Sequence, residues 1–275
     1  APVHVENFPG TVEEGGDVAG IARAKLEIVV GMPAGGVLVY PSRAFGLDLA
    51  AEAARKRELL FLAVEPESAP EQPANANANA NEAAAAGGLD FVWRGRSLHT
   101  PAYHNPVMIH NLVACLELLS AARLVPGGDA AIAAAAPRIR PQTGRRFEII
   151  ERPRPGRAPQ LLVDDSYNAN PASFSRALEA LRRLLPEGRL ACFAGEMGEL
   201  GPEHGPAGHR EVGSVAAGQG YEFVAVCGGE SAEALKDSFV RGPEQNPGAP
   251  TERSSRSFSG IDVLLDELDL QALAA

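Results

Sequence analysis

The sequence predicts an α/β protein in two parts: a partial parallel-sheet domain, then a doubly wound, Rossmann-like domain. Short apolar runs alternate with amphipathic helical patterns along most of the chain, the order expected of parallel strands joined by crossover helices. The 275 residues suffice for two domains that each bury a core. The stretch "RPQTGRRFEII" separates an irregular first half from a regular second half and reads as a hinge, dividing the chain into residues 1–142 and 143–275.

The first helix is expected over Asp17 to Met32, where Val18, Ile21, Ala22, Ile28 and Val29 recur at three-and-four spacing until Pro33 and its glycines end the pattern. "GGVLVYP" follows as a buried strand, then a helix about Leu47 to Arg57 and a strand "LLFLAV". Residues of about 66–88, rich in Pro, Ala and Asn, offer little to bury and read as a disordered surface insertion that a loop tolerates. "FVWRG" is a strand and Val107 to Leu124 a long apolar helix. "DAAIAAAAPRI" is a helix opened by an Asp cap and stopped by its proline. Beyond the hinge come strand "QLLVDD", helix Pro171 to Leu185, strand "RLACFAG", helix Pro206 to Gly218, strand "EFVAVCGG" and helix Ser231 to Phe239. Ligands of such a sheet bind at the carboxyl ends of its strands.

A net charge of −10, from 25 basic and 35 acidic residues, argues against nucleic acid as a partner, since that affinity needs a cation-rich face. Cys115, Cys192 and Cys227 lack CxxC spacing and sit in apolar runs, as reduced core thiols do. No run is long and apolar enough to cross a bilayer and the start has no signal-peptide order, so a cytoplasmic protein without membrane insertion is expected.

Asp164 and Asp165 fall at the end of one predicted strand, Glu196 at the end of the next and Gly228-Gly229 at the end of the third, so polar groups are expected to converge there. For Asp164, Asp165 and Asn168, turn and helix-capping chemistry before Pro171 is the competing explanation. Lys25 shares the apolar stripe of the first helix; it either snorkels or is a buried amine suited to covalent chemistry. Glu203, His204 and His209 invite a zinc reading, weakened by the proline and glycines between the imidazoles and the lack of a third evident ligand; capping and exposure account for His204 equally well.

"DDSYNANPASF" and "AGEMGELGPEHGPAGHREVG" resemble two signatures of the last domain of the Mur ligase family, in the branch that adds D-alanyl-D-alanine. The second signature carries Glu196 where the family has aspartate. "HVENFPGTVEEGGDVAGIARAKLEI", "VMIHNLVACLELL" and "TGRRF" are similar to family segments of the central ATP-binding domain and hinge. The resemblance implies that residues 1–142 are the later part of that ATP-binding domain and 143–275 most of the carboxyl-terminal ligase domain. It implies an ATP- and Mg2+-dependent ligase that phosphorylates the carboxylate of UDP-N-acetylmuramoyl-tripeptide and joins it to D-alanyl-D-alanine, in a protein of typically monomeric kind.

Carried over by position, Lys25 is the lysine carbamylated by carbon dioxide and, with His4, a magnesium ligand; Asn111 contacts adenine and Arg145 the phosphates. Asp165 and Asn168 hold the nucleotide, with Tyr167, Asn170 and Glu196 nearby. "HNPVMIHN" admits two registers for the partner of Asn111. The only lysines, Lys25, Lys56 and Lys236, follow no glycine, so the family's Gly-Lys phosphate loop is not in this sequence, nor are its amino-terminal domain and final strand. A fragment inactive by itself is therefore expected. The alternatives are a non-catalytic nucleotide- or dipeptide-binding scaffold and an unrelated doubly wound enzyme, the latter disfavoured by the lack of GxGxxG.

Overall fold

The computed structural model describes residues 16–65, 88–141, 143–155, 159–242 and 254–258. The chain divides into two compact units, one reaching from Asn7 to Tyr167 and the other from Asn168 onward. The predicted insertion lies outside the described residues but for its last position, Gly88.

In the first unit, helix α1 (Gly16–Leu26) tightens into a 3-10 turn (Glu27–Gly31). Strands β1 (Val37–Pro41) and β2 (Leu60–Val64) pair in parallel with Val37 opposite Leu60, joined by helix α2 (Leu47–Lys56). Ala50 and Ala54, fully buried, let α2 lie close over a cluster of Leu26, Val29, Leu38 and Leu59. Gly46 opens α2 at φ +86°, and a Cβ there would stand 2.8 Å from the Ala22 methyl, so both dihedral and space demand glycine.

Strand β3 (Leu89–Trp93) turns back through Arg94-Gly95, both at positive φ, into an antiparallel partner β4 (Arg96–Thr100) that the sequence reading did not contain. Helix α3 (Pro106–Ala121) starts on Asn105, whose side chain accepts the Val107 N–H at 3.0 Å. Phe91, Trp93, Leu116 and Ile132 are nearly or fully buried in a second cluster under α3 and α4 (Gly128–Ala135). Asp129 does not cap α4: Gly127, at φ 89°, stands at the cap, and Asp129 instead accepts from Ser120 at 2.6 Å and from Arg94 at 2.9 Å.

Strands β5 (Glu148–Arg152) and β6 (Gln160–Asp164) form an antiparallel pair with Glu148 opposite Asp164. The sequence predicts β6 at the start of the parallel sheet; among the described residues its partner is β5. "EIIER" forms a strand of its own, and a short connection can close an antiparallel pair, whereas a parallel one needs a crossover.

The second unit is a three-stranded parallel sheet in the order β7 (Ala191–Gly195), β8 (Phe223–Cys227), β9 (Ser254–Phe258). Helices α5 (Pro171–Leu184), α6 (Gly201–Gly218) and α7 (Glu230–Arg241) pack with the strands in the cluster that buries Cys192, Val224, Val226, Leu235 and Phe239. Helix α6 starts earlier than predicted: Pro202 suits its first turn, and Pro206 lies inside it because the face bearing Gly205, Gly208 and His209 is buried. At Gly213 a Cβ would stand 2.2 Å from the Leu235 carbonyl oxygen, a measure of how closely α6 and α7 approach. In the register of the sheet Gly195 faces Cys227, which puts the residues after β7 beside those after β8.

Candidate functional site

The "DDSYNANP" loop contains the change of unit, between Tyr167 and Asn168. On the first side, Asp164 accepts the Ser166 N–H at 3.0 Å, an Asx turn that ends β6. Asp165 reaches back and accepts the Phe147 N–H at 2.8 Å. Burial pushes its carboxyl above the usual range, opposed by that hydrogen bond and by Arg146. The bond fixes an unusual backbone, since Arg145 and Phe147 both have positive φ, at 58° and 52°. The Tyr167 N–H donates to the Arg145 carbonyl at 3.1 Å, and the Arg145 N–H donates to Glu148 at 3.0 Å. The Arg146 guanidinium lies 4.0 Å from the centre of the half-exposed Tyr167 ring. The predicted phosphate ligand Arg145 is thus held by its main chain while its side chain is exposed.

On the second side, Asn168 donates its amide to Glu199 at 3.1 Å and accepts the Ala169 N–H at 2.8 Å. Asn170 caps α5 in a reciprocal box with Ser173, which accounts for it structurally. Glu196 accepts the Gly229 N–H at 3.3 Å, at the start of α7. Gly228, at φ 144°, has room for no Cβ beyond 3.0 Å from the Cβ of Glu196. Of the three strand ends expected to converge, the β7 and β8 ends meet in this way; β6 belongs to the first unit's antiparallel pair.

Lys25 is exposed, not part of the buried stripe. Helix α1 buries Ile21, Ala22 and Leu26, and the tightening into a 3-10 turn rotates Ile28 out to 68% exposure while Val29 stays in. Asn111 is exposed on α3. In the other register, Asn105 is the buried cap of α3, and burial pushes the neighbouring His104 below the ordinary histidine range. His4 lies outside the described residues. A groove of about 290 Å³ between α1 and α2, lined by Leu26, Val30, Leu49 and Ala53 with charged rims, contains none of the predicted residues.

His209 is fully buried, with both ring nitrogens engaged: the Met197 N–H donates to Nε2 at 2.9 Å, and Nδ1 bonds the Gly205 carbonyl at 2.8 Å. No lone pair is left for zinc, and among the described residues no group of three or more His, Cys, Asp and Glu could hold a metal ion. Glu199 and Arg146 went unread. Their signal was present, since Glu199 lies in the same "GEMGEL" run as Glu196 and Arg146 adjoins Arg145.

Residues 145–269 match the family described as Mur ligase, glutamate ligase domain. UDP-N-acetylmuramoyl-tripeptide–D-alanyl-D-alanine ligase of Escherichia coli (strain K12) is 28% identical over 237 residues, covering 84% of this chain and 46% of its own length. The crystal structure of MurF from Acinetobacter baumannii matches with a TM-score of 0.66 at 21% identity, covering 100% of this chain and 52% of that one. The chain therefore spans about half the length of the relatives it matches.

Proposed function

We propose, from the match of residues 145–269 to the Mur ligase model, that the chain is part of an ATP-dependent ligase of peptidoglycan precursor synthesis. Its acceptor is UDP-N-acetylmuramoyl-tripeptide and its incoming amine D-alanyl-D-alanine, as the name of the E. coli relative states for that enzyme. The tripeptide carboxylate takes the γ-phosphoryl of ATP, and the dipeptide amine then attacks the acyl phosphate, expelling phosphate and forming the amide.

The observation that supports this reading best is the 3.1 Å bond from Asn168 to Glu199, which joins the two signature runs of the matched domain. Asn168, Asp165 and Arg145 are proposed to meet the nucleotide, and Asn111 its adenine. Asp165 spends Oδ1 on Phe147, leaving Oδ2 to accept from a hydroxyl. Main-chain bonds set the Arg145 backbone in advance, so a phosphate need not order it, which lowers the entropic cost of binding. When bound, Mg2+ would neutralise phosphate charge, with Lys25 as carbamate and His4 as its proposed ligands. Lys25 is exposed, and the described residues do not by themselves make this a metal centre.

These 275 residues contain no Gly-Lys phosphate loop, so they are proposed to bind without turning over: nothing in the sequence replaces the groups that orient a transferred phosphoryl. Purified chain with ATP, Mg2+ and both substrates should release no phosphate above background, and turnover near an ordinary enzyme rate of about 10 s⁻¹ would overturn that. Calorimetry with MgADP and with D-alanyl-D-alanine tests the ligase reading itself: heat from MgADP that Asn168→Ala abolishes supports it, and silence from both ligands sinks it.

A further inference from the structure

The turn after β7 carries two carboxylates with different tasks. Glu196 accepts the N–H of Gly229, the cap residue before α7, and Glu199 accepts from Asn168. Between them stands Met197, buried, whose N–H points into the protein and finds the imidazole of His209. A carbonyl can only accept and an amide N–H can only donate, so the bond to Gly205 requires the proton on Nδ1 and the bond from Met197 requires a bare Nε2. Both demands are met by one neutral tautomer. Gly205 lies one turn before His209 on α6, so the ring is braced by its own helix while its far nitrogen grips the turn. The site has no room for a bulkier brace, since a Cβ at Gly208 would stand 2.7 Å from Pro171 and one at Gly205 2.7 Å from the Ser231 hydroxyl.

We propose that His209 is a positioning residue: through Nε2 it holds the turn after β7 so that Glu196 stays on α7 and Glu199 stays on Asn168. The positioning rests on these hydrogen bonds; only its consequence for nucleotide binding rests on the ligase reading. Removing the acceptor leaves the Met197 N–H buried without a partner, and the turn must open to solvate it. Both carboxylates then move together.

Three substitutions in the whole chain separate the bonds. His209→Gln puts an acceptor near the place of Nε2, His209→Asn a donor near the place of Nδ1, and His209→Phe keeps volume with neither. Amide hydrogen exchange should rise about tenfold or more at Met197 and Gly229 in the Asn and Phe proteins and stay within about threefold in the Gln protein, with Val224 and Val226 of β8 unchanged in all. Unchanged protection of Gly229 in the Phe protein overturns the proposal, as does loss of protection spread equally over β8, which would mark a mere core residue. Should the variants fail to fold, nitrogen NMR of the unsubstituted protein still decides: a protonated Nδ1 with a bare Nε2 is expected, and the opposite tautomer or an imidazolium refutes it. A chain silent to both MgADP and D-alanyl-D-alanine would sink the ligase reading and leave the amide result to judge His209.

Discussion

Strands β7 and β8 share one core with three helices and β9 extends their sheet, whereas the described strands of the first unit stand as three separate pairs, of which β1-β2 and β3-β4 border two smaller clusters. The candidate residues differ in the same sense. In the second unit a buried imidazole and a helix start hold the turn that bears Glu196 and Glu199. In the first, Asp165, Arg145 and Tyr167 are held by bonds near the surface, and Lys25 and Asn111 are exposed. A polar group inside a shared core is tied into every neighbour, because its unmade bond costs more than an exposed bond gains. Position is therefore fixed from within in one unit and from the loop itself in the other.

The largest expected effect tests the shared core. Gly213→Ala places a methyl against the Leu235 carbonyl, and separating α6 from α7 should cost about 3 kcal/mol, read as a lowered urea midpoint. A loss below about 0.5 kcal/mol would mean that the two helices are free to slide, and the contrast between the units would go. A smaller change is expected in the first unit from Glu117→Ala, which strips the acceptor from the Trp93 indole at 2.8 Å and one carboxylate from Arg94. About 1–2 kcal/mol should be lost. Trp93 is the sole tryptophan, so its fluorescence reports this directly, and an unshifted transition would count against a hairpin anchored through that side chain.

The smallest effects are in pH, and they carry opposite signs in the two units. Burial lowers the His209 pKa, despite Gly205 and Glu196, so the unfolded chain takes up the proton first. Its contribution is whole above about pH 6.5 and is lost as pH falls from there toward the folded value. Asp165 is raised by burial, so its contribution is whole below about pH 3.9 and is lost as pH rises through the folded value. Urea midpoints across pH should steepen on the acid side through His209 and flatten there in His209→Gln. In Asp165→Asn the opposing slope should vanish, and an unchanged profile in either variant would remove the sign difference.

Much of the fold was legible because it is local. The runs "VLVYP", "LFLAV", "ACFAG" and "FVAVC" became strands where expected, and helices α2, α3, α5 and α7 fell within a few residues of their patterns. Capping chemistry before Pro171 was legible, since a cap depends on four adjacent residues, but the residue that supplies it is Asn170 and not Asp164, Asp165 or Asn168. Strands β4 and β9 were missed because "RSLHT" and "SSRSF" are polar and take their place only by pairing with a neighbour.

By itself, then, the sequence determined the alternation of strands and helices, and it determined the signature runs within residues 145–269, the stretch that matches the Mur ligase, glutamate ligase domain. Periodicity, caps and motifs are properties of neighbouring residues, and neighbours are what a sequence records. Tertiary structure alone decided that β6 pairs with β5, that Lys25 faces outward, and that His209 clasps Met197 instead of binding a metal. Pairing, exposure and the tautomer of a ring depend on groups many positions away, twelve residues in the case of His209 and Met197, and only the packed chain brings those groups together.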